Sequence, residues 1–339
     1  MKNSLLNKNL YNYIILSLVI VLVSACKDRM NMVMTVNGPI PATKMGNTLA
    51  HEHILVDFIG ADSSGYHRWD KQEVADKALH YLEEIVDLGC RTFIDCTPAY
   101  IGRDPELLRM LSKKTGLNII TNTGWYGANN DKYIPAKAFT MEIKDIAAGW
   151  VREFHEGIED TGIRPGFIKI GVNPDDTLSP MHEKLIRAAG LTYLETGLVI
   201  KSHTGPDGPA LSQLAILEEM QVPADAFIWT HAQSGTLEAW IEAAGRGAWI
   251  SLDNINSGNI EKYIKDLLGM KSAGLLNKVL ISHDSGWYRV GEENGGKYNG
   301  YTVIFKEFIP ALKENGFSES DIHLLIVENP ASAFRIRNL

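Results

Sequence analysis

The sequence predicts an α/β fold, a (β/α)8 TIM barrel preceded by a short N-terminal β element. Short apolar runs alternate with amphipathic segments, which is typical of βα units and a parallel sheet. There are eight such runs, and chemically reactive polar residues stand at the ends of several of them, where a barrel places its active site. The predicted strands are 49–55, 91–97, 118–124, 166–171, 197–203, 226–231, 247–252 and 278–284.

Helical spacing of apolar residues fills the intervals between these strands. The clearest pattern covers 71–88, and others cover 141–161, 180–189, 211–220, 236–244, 260–273 and 301–315. A closing helix begins at Asn329, a plausible N-cap, with Pro330 at its first position. A doubly wound sheet is the alternative, but it more often has a Gly-rich turn after its first strand. That place here holds His51-Glu52-His53.

The N-terminus has the pattern of an export signal. Lys2 and Lys8 precede an apolar run over 13–23, and small residues lead to Cys26. The run is too short for a transmembrane helix, which needs about 20 apolar residues. Because Val23-Ser-Ala-Cys26 resembles the lipobox of bacterial lipoproteins, we expect residues 1–25 to be a lipoprotein signal peptide. Cys26 is then lipidated and anchors the exported chain to a bacterial membrane, on its periplasmic or cell-surface side. An uncleaved anchor and plain secretion are the alternatives.

The composition indicates a globular protein, and the net charge bears on the kind of partner it could bind. Of 339 residues, 45% are hydrophobic and 22% are charged, as in an ordinary globular protein. Removing residues 1–25 removes two of the 33 basic residues and none of the 41 acidic ones, which leaves 31 against 41. A nucleic-acid partner is therefore not expected. Residues 26–47 are assigned to a linker and small β element, and 48–339 to a single barrel domain.

Five side chains form a candidate metal site. His51 and His53 are one residue apart in a predicted strand, so they face the same way while Glu52 faces the opposite way. His203, His231 and Asp284 end later strands, and imidazole and carboxylate groups are ligands of zinc and similar ions. The alternative is a set of buried histidines satisfied by hydrogen bonds.

Lys169 stands at the end of the fourth predicted strand, where a free ammonium would repel a metal and be desolvated. One explanation is carboxylation by carbon dioxide, which turns the cation into a carbamate anion able to bridge two ions. An unmodified Lys169 beside a single metal is the alternative.

In their order and spacing, these residues resemble the phosphotriesterase-like branch of the amidohydrolase superfamily, a group of (β/α)8 metal hydrolases that includes phosphotriesterases and lactonases. The resemblance covers residues 34–337. The matching motifs are Ala50-His-Glu-His53, Ile94-Asp-Cys-Thr97, Ile101-Gly-Arg-Asp104, Gly166-Phe-Ile-Lys-Ile170, Ser202-His-Thr-Gly205, Thr230-His231, Ser282-His-Asp284 and Val327-Glu-Asn-Pro330.

The resemblance implies a binuclear centre of two divalent ions, for which zinc is the best candidate. His51, His53 and Asp284 are expected to hold the more buried ion, and His203 and His231 the more exposed one. Lys169, as N6-carboxylysine, is expected to bridge them. A hydroxide shared by the ions is the expected nucleophile, because two cations lower the pKa of water. Asp284 is the expected proton acceptor, and a homodimer would fit the family.

One departure from the family bears on the substrate. Phosphotriesterases carry a proton relay made of a His after the strand-seven Asp and an Asp after the strand-six His. Here these places hold Asn254 and either Gln233 or Ser234. We therefore expect hydrolysis of a lactone or another carboxylic ester. Phosphotriester or phosphodiester hydrolysis at the same site is the alternative, and a lipid-anchored protein that binds its ligand through the metals without turnover is a third possibility.

Aromatic residues after two strands are candidates for the substrate pocket. Trp125 and Tyr126 follow the third predicted strand, and Trp287 and Tyr288 follow the eighth. They could form walls over the metals or only pack the loops. Arg103 and Asp104, after the second strand, are expected to form a structural ion pair.

Overall fold

The computed structural model describes residues 31–337. The predicted signal peptide and Cys26 lie outside these residues. Within 31–337, the helices are all too short or too polar to cross a membrane.

A closed barrel of parallel strands confirms the predicted fold. The barrel strands form two hydrogen-bonded segments, one of β3 to β5 and one of β6 to β11, and in each segment neighbours in the chain are neighbours in the sheet. The third barrel strand is interrupted at Thr121 and therefore gives both β5 and β6. The bounds are β3 Asn47–Val56, β4 Cys90–Asp95, β5 Asn118–Ile120, β6 Asn122–Thr123, β7 Phe167–Gly171, β8 Ile200–His203, β9 Phe227–Thr230, β10 Trp249–Leu252 and β11 Val279–Ile281.

The first and last barrel strands meet at the mouth of the barrel. Asp284 N donates to His51 O over 3.1 Å, and His53 N donates to Ser285 O over 2.9 Å. Strand β12 (Gly286–Arg289) then pairs in parallel with the upper half of β3, with Gly286 opposite His53. The chain after β11 is thus held against the strand that carries His51 and His53.

Helices between the strands cover the outside of the barrel. The principal helices are α1 Lys71–Asp87, α2 Pro105–Thr115, α3 Ile143–Glu156, α4 Pro180–Thr196, α5 Asp207–Glu219, α6 Leu237–Arg246 and α7 Ile260–Ser272. The C-terminal part contains α8 Ile309–Glu314, α9 Glu319–His323 and α10 Asn329–Phe334, with π-helical turns at Ile304–Phe308 and Leu324–Glu328.

Helix α2 is absent from the pattern-based assignment, although its sequence contains a clear start signal. The Asp104 side chain caps it by accepting from Leu107 N over 3.0 Å, and Pro105 occupies its first position. The expected ion pair between Arg103 and Asp104 is wrong, because this cap engages the carboxylate. Arg103 instead pairs with Glu153 of α3 at 2.8 Å.

A small hairpin closes the bottom of the barrel. Strands β1 (Met32–Thr35) and β2 (Gly38–Pro41) are antiparallel. Val33 and Met45 are buried in one apolar cluster with a layer of side chains that comes from all eight barrel strands. That layer is Ala50, Ile94, Ile120, Phe167, Val199, Ile228, Trp249 and Leu280.

The side chain of Glu52 on β3 hydrogen-bonds the segment that follows β11, where the barrel closes. Its fully buried carboxylate accepts from His283 N at 3.0 Å, His283 Nδ1 at 2.7 Å and Ser285 N at 2.9 Å. The other ring nitrogen, His283 Nε2, accepts from Ile304 N at 3.0 Å. Glu52 and His283 both turn away from the metal site, and their hydrogen bonds hold the residues on either side of Asp284.

Replacing this carboxylate is expected to destabilise the fold. Glu52→Gln exchanges an acceptor oxygen for an amide group that faces N–H donors, so the free energy of unfolding should fall by about 1 to 3 kcal/mol. Urea denaturation measures the change. Glu83→Gln on the exposed face of α1 is the matched control and should leave stability nearly unchanged. Equal stability of the two variants would contradict the role given to Glu52.

Candidate metal centre

The interior of the barrel is layered because successive inward-facing residues are two apart along a strand. Strand β3 is the exception, since a register shift between Leu49 and Glu52 brings both Ala50 and His51 inward. Above the apolar layer lies a polar layer, and above that lie the candidate ligands. The polar layer contains Asn122, Lys169, Lys201, Thr230, Ser251 and Ser282, all almost fully buried. The ligand layer contains His203, Asp253 and Asp284, with His51, His53 and His231 beside them.

One group of candidate ligands forms around Asp284. Asp284 Oδ1 lies 3.0 Å from His53 Nε2 and 3.7 Å from His51 Nε2. One ligand atom from each of the three residues lies within 4.8 Å of the others. Burial, followed by the charge of Lys169, lowers the pKa of His51 well below its usual value. The ring is therefore neutral, which is the form that binds a metal.

The hydrogen bonds of His53 define the free nitrogen of its ring. Thr97 Oγ1 donates its only proton to Leu55 O at 3.1 Å, so it accepts from His53 Nδ1 at 2.8 Å. In the neutral ring Nε2 then carries a lone pair, and it faces a carboxylate oxygen of Asp284. Two acceptors at this separation fit a cation bound by both.

A second group lies beside the first. The rings of His203 and His231 are 4.4 Å apart between centroids, and His231 Nε2 lies 3.9 Å from Asp284 Oδ2. Burial lowers the pKa of both histidines. Asp284 therefore reaches toward both groups. His231 and Asp284 have φ angles of 58° and 55°, a left-handed conformation that is costly for such residues and is often found at functional sites.

Lys169 faces the same cavity as both groups and has an unsatisfied amine. Its side chain is 2% exposed, lines the same cavity as the four histidines, and Nζ has no hydrogen-bond partner among residues 31–337. Burial lowers the pKa of Lys169 to about 8. A neutral amine is thus readily available there, which is the form that combines with carbon dioxide.

Asp253 is a functional residue that the sequence analysis missed. Its carboxylate lies 3.4 Å from His51 Nδ1 and 3.5 Å from His231 Nδ1, on the side of each ring opposite Asp284. The charges of His51 and Lys201 outweigh the effect of burial and hold the pKa of Asp253 well below its usual value. Ring nitrogens that bind metals commonly have such a carboxylate behind them. The available signal was its position directly after a predicted strand.

A cavity of about 410 Å³ opens over the ligands. Tyr126 and Trp287 line it as predicted, with ring centroids 5.0 Å from His203 and 5.4 Å from His53, respectively. Its other walls come from residues that were not predicted to line a pocket, namely Val56, Phe58, Cys96, Pro98 and Ile101. The cavity wall is mainly apolar.

Two of the four predicted aromatic contacts are wrong. Trp125 packs edge-on against Trp150 at 5.6 Å and lines a separate recess behind the β4–α2 loop. Tyr288 points to the outside of β12, where its hydroxyl donates to Glu73 of α1. In each pair of neighbours only one side chain can face the cavity.

A wider polar recess of about 1100 Å³ adjoins the cavity and shares with it His203, His231, Asp284 and Trp287. Its additional lining includes Gln233, Ser234, Asn254, Arg289 and Asn299. Gln233 Oε1 accepts from Asp253 N at 3.0 Å. The candidate ligands therefore lie between a mainly apolar wall and a polar one.

Comparison with known proteins places this site in a family. The sequence model of the Phosphotriesterase family matches residues 31–334. The chain belongs to the phosphotriesterase family. It is similar to the phosphotriesterase homology protein of Escherichia coli, with 30% identity over 86% of this chain and 98% of the relative. The aryldialkylphosphatase of Saccharolobus solfataricus is 28% identical over 87% and 96%.

A solved structure also resembles this member of the phosphotriesterase family. Organophosphorus hydrolase from Deinococcus radiodurans superposes with a TM-score of 0.81 at 26% identity, covering 90% of this chain and 97% of that one. The chain is accordingly a metal-dependent hydrolase of ester bonds, and its His and Asp groups could hold metal. Family membership does not support the alternative of a binding protein without turnover.

Proposed function

We propose that the chain hydrolyses a lactone or another carboxylic ester at a binuclear centre. His51, His53 and Asp284 would hold one divalent ion, His203 and His231 the other, and Lys169, as N6-carboxylysine, would bridge them. The observation that carries the proposal is the convergence of four imidazole rings, the Asp284 carboxylate and an unpartnered Lys169 amine on one cavity. Zinc suits this set of nitrogen and oxygen donors.

When bound, the ions would lower the pKa of water and polarise the carbonyl oxygen of the ester. Asp284 would accept the proton of the attacking water, since its two oxygens face both ligand groups. Asp253 would keep His51 and His231 oriented from behind. The indole N–H of Trp287 donates to the backbone carbonyl oxygen of Asp284 at 3.1 Å. The indole ring would shield the Asp284 carboxylate from bulk water.

The residues of the polar recess favour a lactone over a phosphotriester. Asn254 and either Gln233 or Ser234 occupy the positions of the phosphotriesterase proton relay, and neither an amide nor an aliphatic hydroxyl exchanges protons readily near neutral pH. Ring opening of a lactone leaves the alkoxide on the product, so Asp284 can return the proton that it accepted. A phosphotriester with an acidic leaving group does not take up that proton, which then needs another path out.

The two walls suggest the shape of the substrate. Phe58, Ile101 and Tyr126 would receive its apolar part, and the recess with Arg289 and Asn299 would receive its polar part. Phosphotriester hydrolysis at the same site is the second candidate, because similar proteins are named aryldialkylphosphatase and organophosphorus hydrolase.

We also propose that the enzyme works outside the cytoplasm, attached to a bacterial membrane by lipid on Cys26. The lipobox-like sequence Val23-Ser-Ala-Cys26 supports this proposal. Stable anchoring takes two or more acyl chains. Homodimerisation stays a prediction.

Asp284→Asn should bind substrate but turn it over at least about 100-fold more slowly, since general base catalysis typically supplies about 10² to 10⁴. The amide keeps an oxygen toward the metals but cannot accept the proton. Steady-state kcat measures the loss, and metal analysis of the same sample separates it from loss of the ions. A fully metallated variant within threefold of the parent rate would assign proton transfer to another group.

Lactones should give higher kcat/KM than aryl phosphotriesters. One zinc-loaded preparation should be tested against sugar lactones, acyl lactones, aryl esters and phosphotriesters, with a chelator-treated sample as the control for metal dependence. Phosphotriester values above those of every lactone would overturn the choice of substrate. Binding without turnover of any ester would contradict hydrolysis itself.

Mass spectrometry of protein extracted from membranes should find Cys26 at the N-terminus and carrying lipid. Cys26→Ser should release the chain from the membrane fraction. An intact Met1, or an unmodified Cys26, would contradict the proposed anchor.

A further inference from the structure

A second lysine, Lys201, is fully buried beneath the metal site. It lies on β8 directly beside Lys169 on β7, because the two residues are register partners in the parallel ladder. Both belong to the polar layer of the barrel interior. Two like charges on neighbouring strands in a dry interior repel each other and are costly to desolvate. Other buried groups therefore have to offset the repulsion and the desolvation cost of this lysine pair.

The contacts of Lys201 compensate for its charge only in part. Lys201 Nζ donates to Ser251 Oγ at 3.0 Å, and Ser251 Oγ donates to Asp253 Oδ1 at 2.8 Å. No carboxylate oxygen within residues 31–337 lies as close as 4.0 Å to Lys201 Nζ. Asp253 thus reaches Lys201 only through a hydroxyl, and it also accepts from Ser282 Oγ at 2.7 Å and His231 N at 2.8 Å.

The neighbouring group that lacks a hydrogen-bond partner is the amine of Lys169. Nζ of Lys169 has no hydrogen bond among the described residues. A carbamate on that nitrogen would replace a repelling cation by an anion next to Lys201. The unfavourable pair would become a favourable one, in an interior where charges interact strongly.

We propose that Lys201 is a positioning residue that favours carboxylation of Lys169 by holding a fixed positive charge beside it. This inference rests on the proposed function, in which Lys169 is carboxylated. It gives Lys201 a role in assembling the site without contact to substrate.

The step itself needs only dissolved carbon dioxide. The lone pair of the neutral Lys169 amine attacks the carbon of carbon dioxide, a nitrogen–carbon bond forms, and one carbon–oxygen π pair moves onto oxygen. The nitrogen then releases one proton to water, which leaves a monoanionic carbamate. The reacting nitrogen is Nζ of Lys169, which has no hydrogen-bond partner among the described residues and lies beside Lys201 in the ladder.

The test follows the carbamate directly by ¹³C NMR of protein equilibrated with ¹³C-bicarbonate and increasing zinc, with bound zinc measured on the same samples. Lys201→Met keeps the length of the side chain and removes its charge. Lys201→Gln keeps a donor for Ser251 and guards against failure of the first variant to fold. Both should need at least tenfold more bicarbonate for half-maximal carbamate, and both should bind less zinc at limiting zinc.

Two controls separate charge from structure. Lys201→Arg retains the charge and should keep carbamate formation near that of the parent. Ser112→Ala removes a buried hydrogen bond to Leu117 O at the end of α2, outside the barrel interior, so it should lower stability without changing the bicarbonate requirement.

The possible failures are distinguishable. If the parent forms a carbamate and Lys201→Met and Lys201→Gln form it at the same bicarbonate concentration, the role of Lys201 is wrong and the proposed function stands. If the parent shows no carbamate signal at any zinc level, carboxylation of Lys169 fails and the inference fails with it.

Discussion

His53 Nε2 and Asp284 Oδ1 lie 3.0 Å apart, and in the neutral ring no proton lies between them. A cation bound by both atoms would fit this approach, and the surrounding hydrogen bonds hold the two residues in place. The hydroxyl of Thr97 accepts a hydrogen bond from His53 Nδ1, which places the ring proton on Nδ1 rather than Nε2. The Asp253 carboxylate lies near Nδ1 of both His51 and His231. The hydrogen bonds of Glu52 to both sides of Asp284 hold that carboxylate against the strand of His53. The same hydrogen bonds therefore close the barrel and position Asp284 among the other candidate ligands.

Much of this arrangement could be predicted because two regularities act together. Alternation along a strand placed His51 and His53 on one face and Glu52 on the other, and parallel strands bring their carboxyl ends to one mouth. All eight barrel strands follow from these rules. Helix α2 lies outside the predicted helices although Asp104 and Pro105 signal its start, because a helix of 11 residues shows only a short apolar pattern.

The side chains beyond the strand ends could not be predicted in the same way. Alternation stops where the backbone turns, and Asp284, Gly286 and Trp287 all have positive φ angles. Trp287 therefore faces the cavity and Tyr288 faces α1. Gly124 lies so close to β7 that a Cβ would be 2.2 Å from Lys169 O, and the chain leaves the strand there, which turns Trp125 toward α3. The roles of Asp253 and Lys201 depend on contacts between different strands, and residue spacing along a single strand does not reveal such contacts.

The central claim is that two cations, bridged by a modified Lys169, hold this constellation together. Anomalous diffraction from zinc-loaded crystals, recorded on both sides of the zinc absorption edge, tests it most directly. We expect two peaks in the cavity, one at His51, His53 and Asp284 and one at His203 and His231, with density for carboxylated Lys169 reaching both. A single peak with the Lys169 amine bare and turned away from it would contradict the binuclear centre.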